Sequence, residues 1–225
     1  MTLGSRLLEA VREHGYGVEQ TNGLTNRQLY ALGRCFGERW DRSYPILDIR
    51  YESPAGAGAF TRNAVPPHCE CAYDAQPPRY MLFYCEAPSD AGGAFYLVPM
   101  KEVLERLPKR DRRALRTTAY TMISPRTGLA ASRPLVTQVE GVGDVLVYAS
   151  DPARGNVELF SYPGGAAETL FDRVGAIIAD PRLHIRHRWR RGDVVVFDNA
   201  RFLHGREKYR GPRHLKQLRI GSFTV

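Results

Sequence analysis

The sequence has no apolar run long enough to cross a membrane or to act as a secretion signal. Within the first twenty positions Arg6, Glu9, Arg12 and Glu13 interrupt the apolar residues. This predicts a protein that stays in the cytoplasm and meets no membrane. Cysteine is sparse, with four residues at 35, 69, 71 and 85. That is no framework for a secreted disulfide fold, and all four are read as free thiols. Internal repeats, low-complexity segments and a linker-like break in composition are all missing, so the 225 residues are expected to form one domain, 1–225, with a sizeable core. No zinc-finger, basic-zipper or RNA-recognition signature is present, which disfavours nucleic acid as a partner.

Positive charge is abundant but unevenly placed. The net charge is +8, yet Arg182 to Arg219 alone contribute twelve Lys/Arg against three Asp/Glu. The basic excess therefore belongs to the C-terminal part, where it is either a solvated face or an attractor of anions.

Periodicity supplies the elements. Leu7, Leu8 and Val11 predict a short amphipathic helix ended by Gly15-Tyr16-Gly17, with a strand around Val18. Thr25 and Gln28 form a capping box ahead of Leu29, Leu32, Cys35 and Phe36 at helical spacing. Strands are expected at 80–85, 144–148, 157–160 and 193–197, and helices over Met100–Leu107 and Leu170–Ile178, each ending before a proline. Because strands and helices do not alternate one for one, a doubly wound parallel sheet is disfavoured. A mainly β, α+β fold is expected, a sandwich or barrel with helices on the outside.

Two segments can carry chemistry. In Pro66-Pro67-His68-Cys69-Glu70-Cys71, strand alternation would put His68 and Glu70 on one face. An imidazole beside a carboxylate, joined by one more histidine, makes the facial set that binds iron(II) and leaves positions open. His-x-Glu alone is often incidental, and Cys69 and Cys71 allow a zinc site instead; alternation, however, sends both cysteines away from His68. The second segment runs from Arg191 through Phe197-Asp198-Asn199 to His204-Gly205-Arg206, followed by Gly211-Pro212-Arg213. A guanidinium near a metal offers a carboxylate two fixed donors. His184 and His187 are read as part of an exposed basic strand.

Together these segments resemble the taurine dioxygenase-like (TauD/TfdA) superfamily of Fe(II)/2-oxoglutarate oxygenases, in its His-x-Glu branch of clavaminate synthase-like and syringomycin-type amino-acid hydroxylases. The resemblance runs through His68 to Tyr73, Pro77-Pro78, Met81 to Cys85, Gly92-Gly93, Val103 to Leu107 and Gly192 to Arg213. It implies a double-stranded β-helix (jelly-roll) core, with iron(II), 2-oxoglutarate and O2 as cofactor and co-substrates. His68, Glu70 and His204 would be the metal ligands and the catalytic centre, and Arg213 would pair with the far carboxylate of 2-oxoglutarate. Asn199 and Arg206 match positions that look structural. The implied reaction is oxidation, foremost hydroxylation, of an unactivated C–H bond; Glu70 excludes the halogenases, in which a small residue replaces the carboxylate.

One departure concerns the family's Gly-Gly-x-Thr, whose hydroxyl helps hold 2-oxoglutarate; here Gly92-Gly93-Ala94 leads to Phe95. The chain also lacks the long insertions that carry lids in many members, which allows an open site or completion within a homo-oligomer. Arg62, Asn63, Arg206 and Arg219, with Arg201 and Arg210 nearby in sequence, are the candidate contacts to a small anionic or amino-acid-derived substrate. That substrate is free or tethered to an acidic carrier protein docking on Arg186, Arg188 and Arg190. A catalytically degenerate jelly-roll binding module and a zinc-binding protein are the alternative classes, with Phe95 the feature that favours the former.

Overall fold

The computed structural model describes residues 1–40, 46–52, 58–123, 128, 130–149, 159–161 and 165–225. Helix α1 (Leu3–His14) starts where the Thr2 hydroxyl accepts a hydrogen bond from Ser5 N, and stops at Gly15. The φ of +83° at Gly15 is left-handed, so glycine is the residue that can close this helix. Strand β1 (Tyr16–Gln20) follows, then α2 (Asn26–Gly33), whose capping box forms as the sequence predicts. Next come β2 (Leu47–Arg50), β3 (Val65–His68), β4 (Tyr80–Ala87), the short β5 (Ala91–Gly92) and β6 (Phe95–Pro99).

Helices α3 (Met100–Glu105) and α4 (Lys109–Thr117) precede two hairpins, β7 (Ala119–Ile123) with β8 (Ala130–Pro134) and β9 (Val136–Val139) with β10 (Gly143–Leu146). Strand β11 (Leu159–Ser161) pairs with β7; Val157 and Glu158 of the expected 157–160 strand lie outside the described residues. Helix α5 (Ala166–Ile178) leads to β12 (Ile185–His187), β13 (Asp193–Asp198), β14 (Phe202–Arg206), β15 (Tyr209–Arg210) and β16 (His214–Ile220).

Every ladder among the described residues is antiparallel. The site is built on two sheets, one ordered β1-β13-β4-β16-β2 and the other β12-β6-β14-β3. The central strands of the first sheet show why they read as unbroken apolar runs: both faces are covered. Leu82, Tyr84, Val194, Val196, Leu218 and Ile220 pack with Leu7 and Val11 of α1 and Leu29 and Leu32 of α2. Their alternates Met81, Phe83, Cys85, Val195, Phe197 and Leu215 pack with Phe95, Leu97 and Phe202 of the second sheet. Period-two alternation thus puts one cluster under the helices and one between the sheets.

The outer face of the second sheet is covered by a third cluster, in which Tyr96, Val98 and Leu203 meet Met100, Val103, Leu104, Leu115 and α5 residues Leu170, Phe171 and Val174. A core of mixed α and β elements, mostly strands, follows from this layering. No helix among the described residues is long and apolar enough to cross a membrane.

Candidate active site

Strand register brings two of the expected ligands together. His204 of β14 stands directly opposite His68 of β3, and residues opposed in an antiparallel pair share a face. The imidazole centroids are 4.2 Å apart. That face is the interior between the sheets: the His204 ring is bordered by Phe83, Phe95 and Phe197. Burial, with His68 alongside, pushes the His204 pKa down to about 3. The ring is therefore neutral around pH 7 and keeps a lone pair for a metal. Pro66 O lies 3.0 Å from His68 Nδ1; with the Nδ1 proton donated to that carbonyl, Nε2 faces the site unprotonated.

Glu70 arrives by a different route from the one its spacing predicts. Strand β3 ends at His68, and Glu70 sits in the following turn, so it does not reach the site by i, i+2 alternation. Cys71, next in line, has a φ of +55°. The turn is held by Asn199: Glu70 N donates to Asn199 Oδ1 at 2.9 Å, and Asn199 Nδ2 donates to the carbonyls of Glu70 and Pro78. Placed this way, Glu70 Oε2 lies 3.6 Å from Nε2 of both His68 and His204. One ligand atom from each of the three residues falls within 4.8 Å of the others. Burial opposes the charge of Glu70, but Arg219, His68 and His204 outweigh it and hold the carboxyl well below its ordinary range. Two imidazoles and one carboxylate are the donors that suit iron(II).

The cysteines stay outside this set. Cys69 Sγ turns to the backbone carbonyls of Glu70 and Asn199, as a buried core residue. The positive φ of Cys71 breaks the expected alternation, and its Sγ comes within 4.0 Å of Glu70 Oε1. Neither belongs to the cluster of possible ligands. His184 stacks on Tyr96 and bonds to Ile178 O, and His187 pairs with Asp193. The arginines between and beyond them, Arg186 and Arg188, are exposed, with Arg186 paired to Glu207.

Arg213 is 6% exposed, and its Nε has no hydrogen-bond partner among the described residues. Its guanidinium lies over the Tyr209 ring. Burial, with Arg206 nearby, pulls its pKa down to about 9. A buried cation without a counter-ion is costly, and the cost is relieved by an anion delivered to it. This is the arrangement that a dicarboxylate would complete.

The remaining candidates divide differently. Arg206 does not offer itself to a substrate: its guanidinium donates to the carbonyls of Ala59, Thr61 and Asn63, which corrects the expectation of a substrate contact. Asn63 is exposed and gives its carbonyl to Arg206, while Arg62 is exposed and lies over Tyr51, 4.1 Å from the ring centroid. Arg219 is bound to Glu70 Oε1 at 2.6 Å, so it too is engaged by the site itself. Arg201 lines an open cleft of about 1520 Å³ with Arg12 and Lys101, which the three clustered residues do not line. Spacing alone missed the Asn199 bridge and the Arg219 pair, because both form across long sequence separations.

Residues 2–219 match the family described as taurine catabolism dioxygenase TauD, TfdA family. The chain belongs to this family. Among curated relatives, tyrosine isonitrile desaturases of Pseudomonas aeruginosa and Erwinia amylovora are each 26% identical and align with 78% of this chain and 65% of their own length. The chain thus spans under two thirds of those relatives. A 3-((Z)-2-isocyanoethenyl)-1H-indole synthase of Fischerella ambigua is 23% identical and aligns over 95% of this chain and 91% of its own. In fold, the chain is similar to PvcB, described as an Fe, alpha-ketoglutarate dependent oxygenase from an isonitrile synthetic pathway, with a TM-score of 0.74, 22% identity, and coverage of 99% of this chain and 82% of that one. AAD-2, solved with Mn(II) and N-oxalylglycine, gives 0.79 at 16% identity, covering 100% and 92%.

Proposed function

We propose that this TauD/TfdA family chain is an iron(II)- and 2-oxoglutarate-dependent oxygenase that acts on a C–H bond of a small, amino-acid-derived substrate. The observation that carries the reading is the convergence of His68, Glu70 and His204 in an interior that also holds the buried Arg213, whose Nε has no partner among the described residues. His68, Glu70 and His204 hold the metal, and Arg213 receives the far carboxylate of 2-oxoglutarate as a two-pronged donor. Bound iron(II) supplies activation of O2, coupled to conversion of 2-oxoglutarate to succinate and CO2.

The protein's own part is positional. Neutral His204 and the Asn199-fixed turn present the donors without reorganisation. Phe83, Phe95 and Phe197 wall the inner side and keep water from it. The two facing antiparallel sheets support a jelly-roll core formed by residues 1–225 as one domain. The isonitrile desaturases and the isocyanoethenyl-indole synthase among the relatives support an amino-acid-derived substrate, and their names put desaturation beside hydroxylation as the outcome.

The test is an anaerobic titration of metal-free protein with iron(II) and 2-oxoglutarate, followed by visible absorption for the weak charge-transfer band of the chelate. A band that is lost in His68→Ala and weakened in Arg213→Ala supports the reading. No band in the native protein overturns it. With candidate substrates and O2, product mass then separates hydroxylation, a gain of one oxygen, from desaturation, a loss of two hydrogens.

A further inference from the structure

The two oxygens of Glu70 have different surroundings. Oε2 lies 3.6 Å from Nε2 of both imidazoles. Oε1 is taken by Arg219 Nη2 at 2.6 Å, the length of a strong charge-assisted bond. Arg219 is itself fixed from behind. Its guanidinium lies over the Trp40 ring, 5.6 Å from the centroid, and Trp40 is tied down by Trp40 N donating to Arg219 O and by Nε1 donating to Gln76 O. In β16 the register places Arg219 opposite Met81, whose side chain packs between the sheets.

We propose that Arg219 is a positioning residue that confines Glu70 to one metal-binding oxygen, an inference that rests on the assignment of His68, Glu70 and His204 as metal ligands. A cation meeting both imidazoles meets Oε2, while Oε1 is already engaged. A glutamate free to bind through both oxygens would occupy one more coordination position. Held to one oxygen, Glu70 would give a bound metal a single donor, as each imidazole would, and would leave more of its positions open to other ligands. The arginine's charge also works against the incoming cation, so Arg219 keeps a position open at some expense of metal affinity. This accounts for why the arginine is directed at Glu70 rather than left free for a substrate.

Cobalt(II) titration of the metal-free 225-residue chain, read by visible absorption, tests this with Arg219→Lys, Arg219→Gln and Arg219→Leu; circular dichroism checks folding, and crystal structures of the cobalt-loaded proteins read the coordination of Glu70. The native protein and Arg219→Lys are expected to bind cobalt(II) through one Glu70 oxygen. Arg219→Leu is expected to bind about tenfold more tightly, since a nearby positive charge is gone, with both Glu70 oxygens on the metal. Arg219→Gln should also bind more tightly but keep one-oxygen coordination, because its amide still donates to Oε1. An arginine that merely supports the fold would give weaker binding in Gln and Leu alike. That result, one-oxygen coordination in Arg219→Leu, or a native cobalt structure with Arg219 away from Glu70 would each overturn the proposal. Should the leucine variant not fold, the glutamine variant carries the affinity comparison. Equal cobalt affinity in native protein and His68→Ala would instead sink the ligand assignment, so the two failures are distinguishable.

Discussion

Asn199 and Glu70, 129 positions apart in sequence, exchange two hydrogen bonds between one side-chain amide and one residue's backbone. Asn199 is fully buried, and its amide also reaches Pro78 O. The turn that carries the carboxylate is thus held from the β13–β14 connection, the same connection that leads into His204.

Asn199→Ala would leave buried Glu70 N and two carbonyls without their partner. The expected loss of stability is about 2–4 kcal/mol, as measured by urea unfolding. Metal affinity should fall by roughly 10- to 100-fold, the usual effect of removing a group that orients a ligand. An Asn199→Ala protein that binds metal as tightly as the native chain would show that the turn holds itself.

Arg213 separates stability from function. Its guanidinium is buried, and its Nε has no hydrogen-bond partner among the described residues. Arg213→Met replaces it with an unbranched apolar side chain and removes a buried charge, so stability should be unchanged or higher. Thermal unfolding should therefore show a melting temperature at or above the native value. At the same time, 2-oxoglutarate or N-oxalylglycine should stabilise the native chain and lose that effect in the variant. A monocarboxylic 2-oxo acid, lacking the second carboxylate, should treat the two proteins alike. A variant that melts lower and still responds to 2-oxoglutarate would remove Arg213 from the site.

Much of this arrangement is legible in the sequence. The capping box at Thr25 and Gln28 and the apolar run of β4 follow from local rules, because a capped amphipathic helix and a strand covered on both faces leave strong patterns. Helix α4 was missed because LysArgAspArgArgAlaLeuArgThr buries only Asp111 and Leu115, too few positions to show a period. Strand β8, AlaAlaSerArgPro, carries no apolar run either. At the site, residue type and order single out His68, Glu70 and His204, but alternation does not account for where Glu70 sits. Alternation is a local rule, whereas the turn at Glu70 depends on a partner 129 residues away. For Arg206 the structural reading agrees with its bonds and the substrate contact does not, because its carbonyl partners near residue 60 cannot be seen from its neighbours.

Gly205 has a role that its place between His204 and Arg206 hides. A Cβ there would stand 2.6 Å from the Tyr96 ring, and Tyr96 is pinned by a hydrogen bond to Val65 O and by stacking on His184. Neither the ring nor the β14 backbone can yield without moving His204 or β3. Gly205→Ala is expected to cost about 1–3 kcal/mol in unfolding free energy and to weaken metal binding, because the displaced strand carries a ligand. Tyr96→Ala in the same chain should restore metal affinity in part by making room; no restoration would locate the defect elsewhere.

Phe95 poses the sharpest question about how this member holds its co-substrate. The position where the family often has a threonine hydroxyl is filled by a ring that is 3% exposed, packed 5.5 Å from Phe83 and 5.8 Å from Trp189, and bordering His204. If the hydroxyl were merely missing, Phe95→Thr would recover it and tighten 2-oxoglutarate binding. The packing argues otherwise. Truncating the ring opens a cavity among aromatic side chains, at an expected loss of about 3 kcal/mol or more, and leaves a hydroxyl among groups that offer it no partner. Affinity for 2-oxoglutarate, measured calorimetrically on the metal-loaded variant, should therefore fall or stay level, with Arg213 remaining the contact that decides it. A gain of tenfold or more would mean that the aromatic interior had been laid over an intact family contact, and that Phe95 had displaced it.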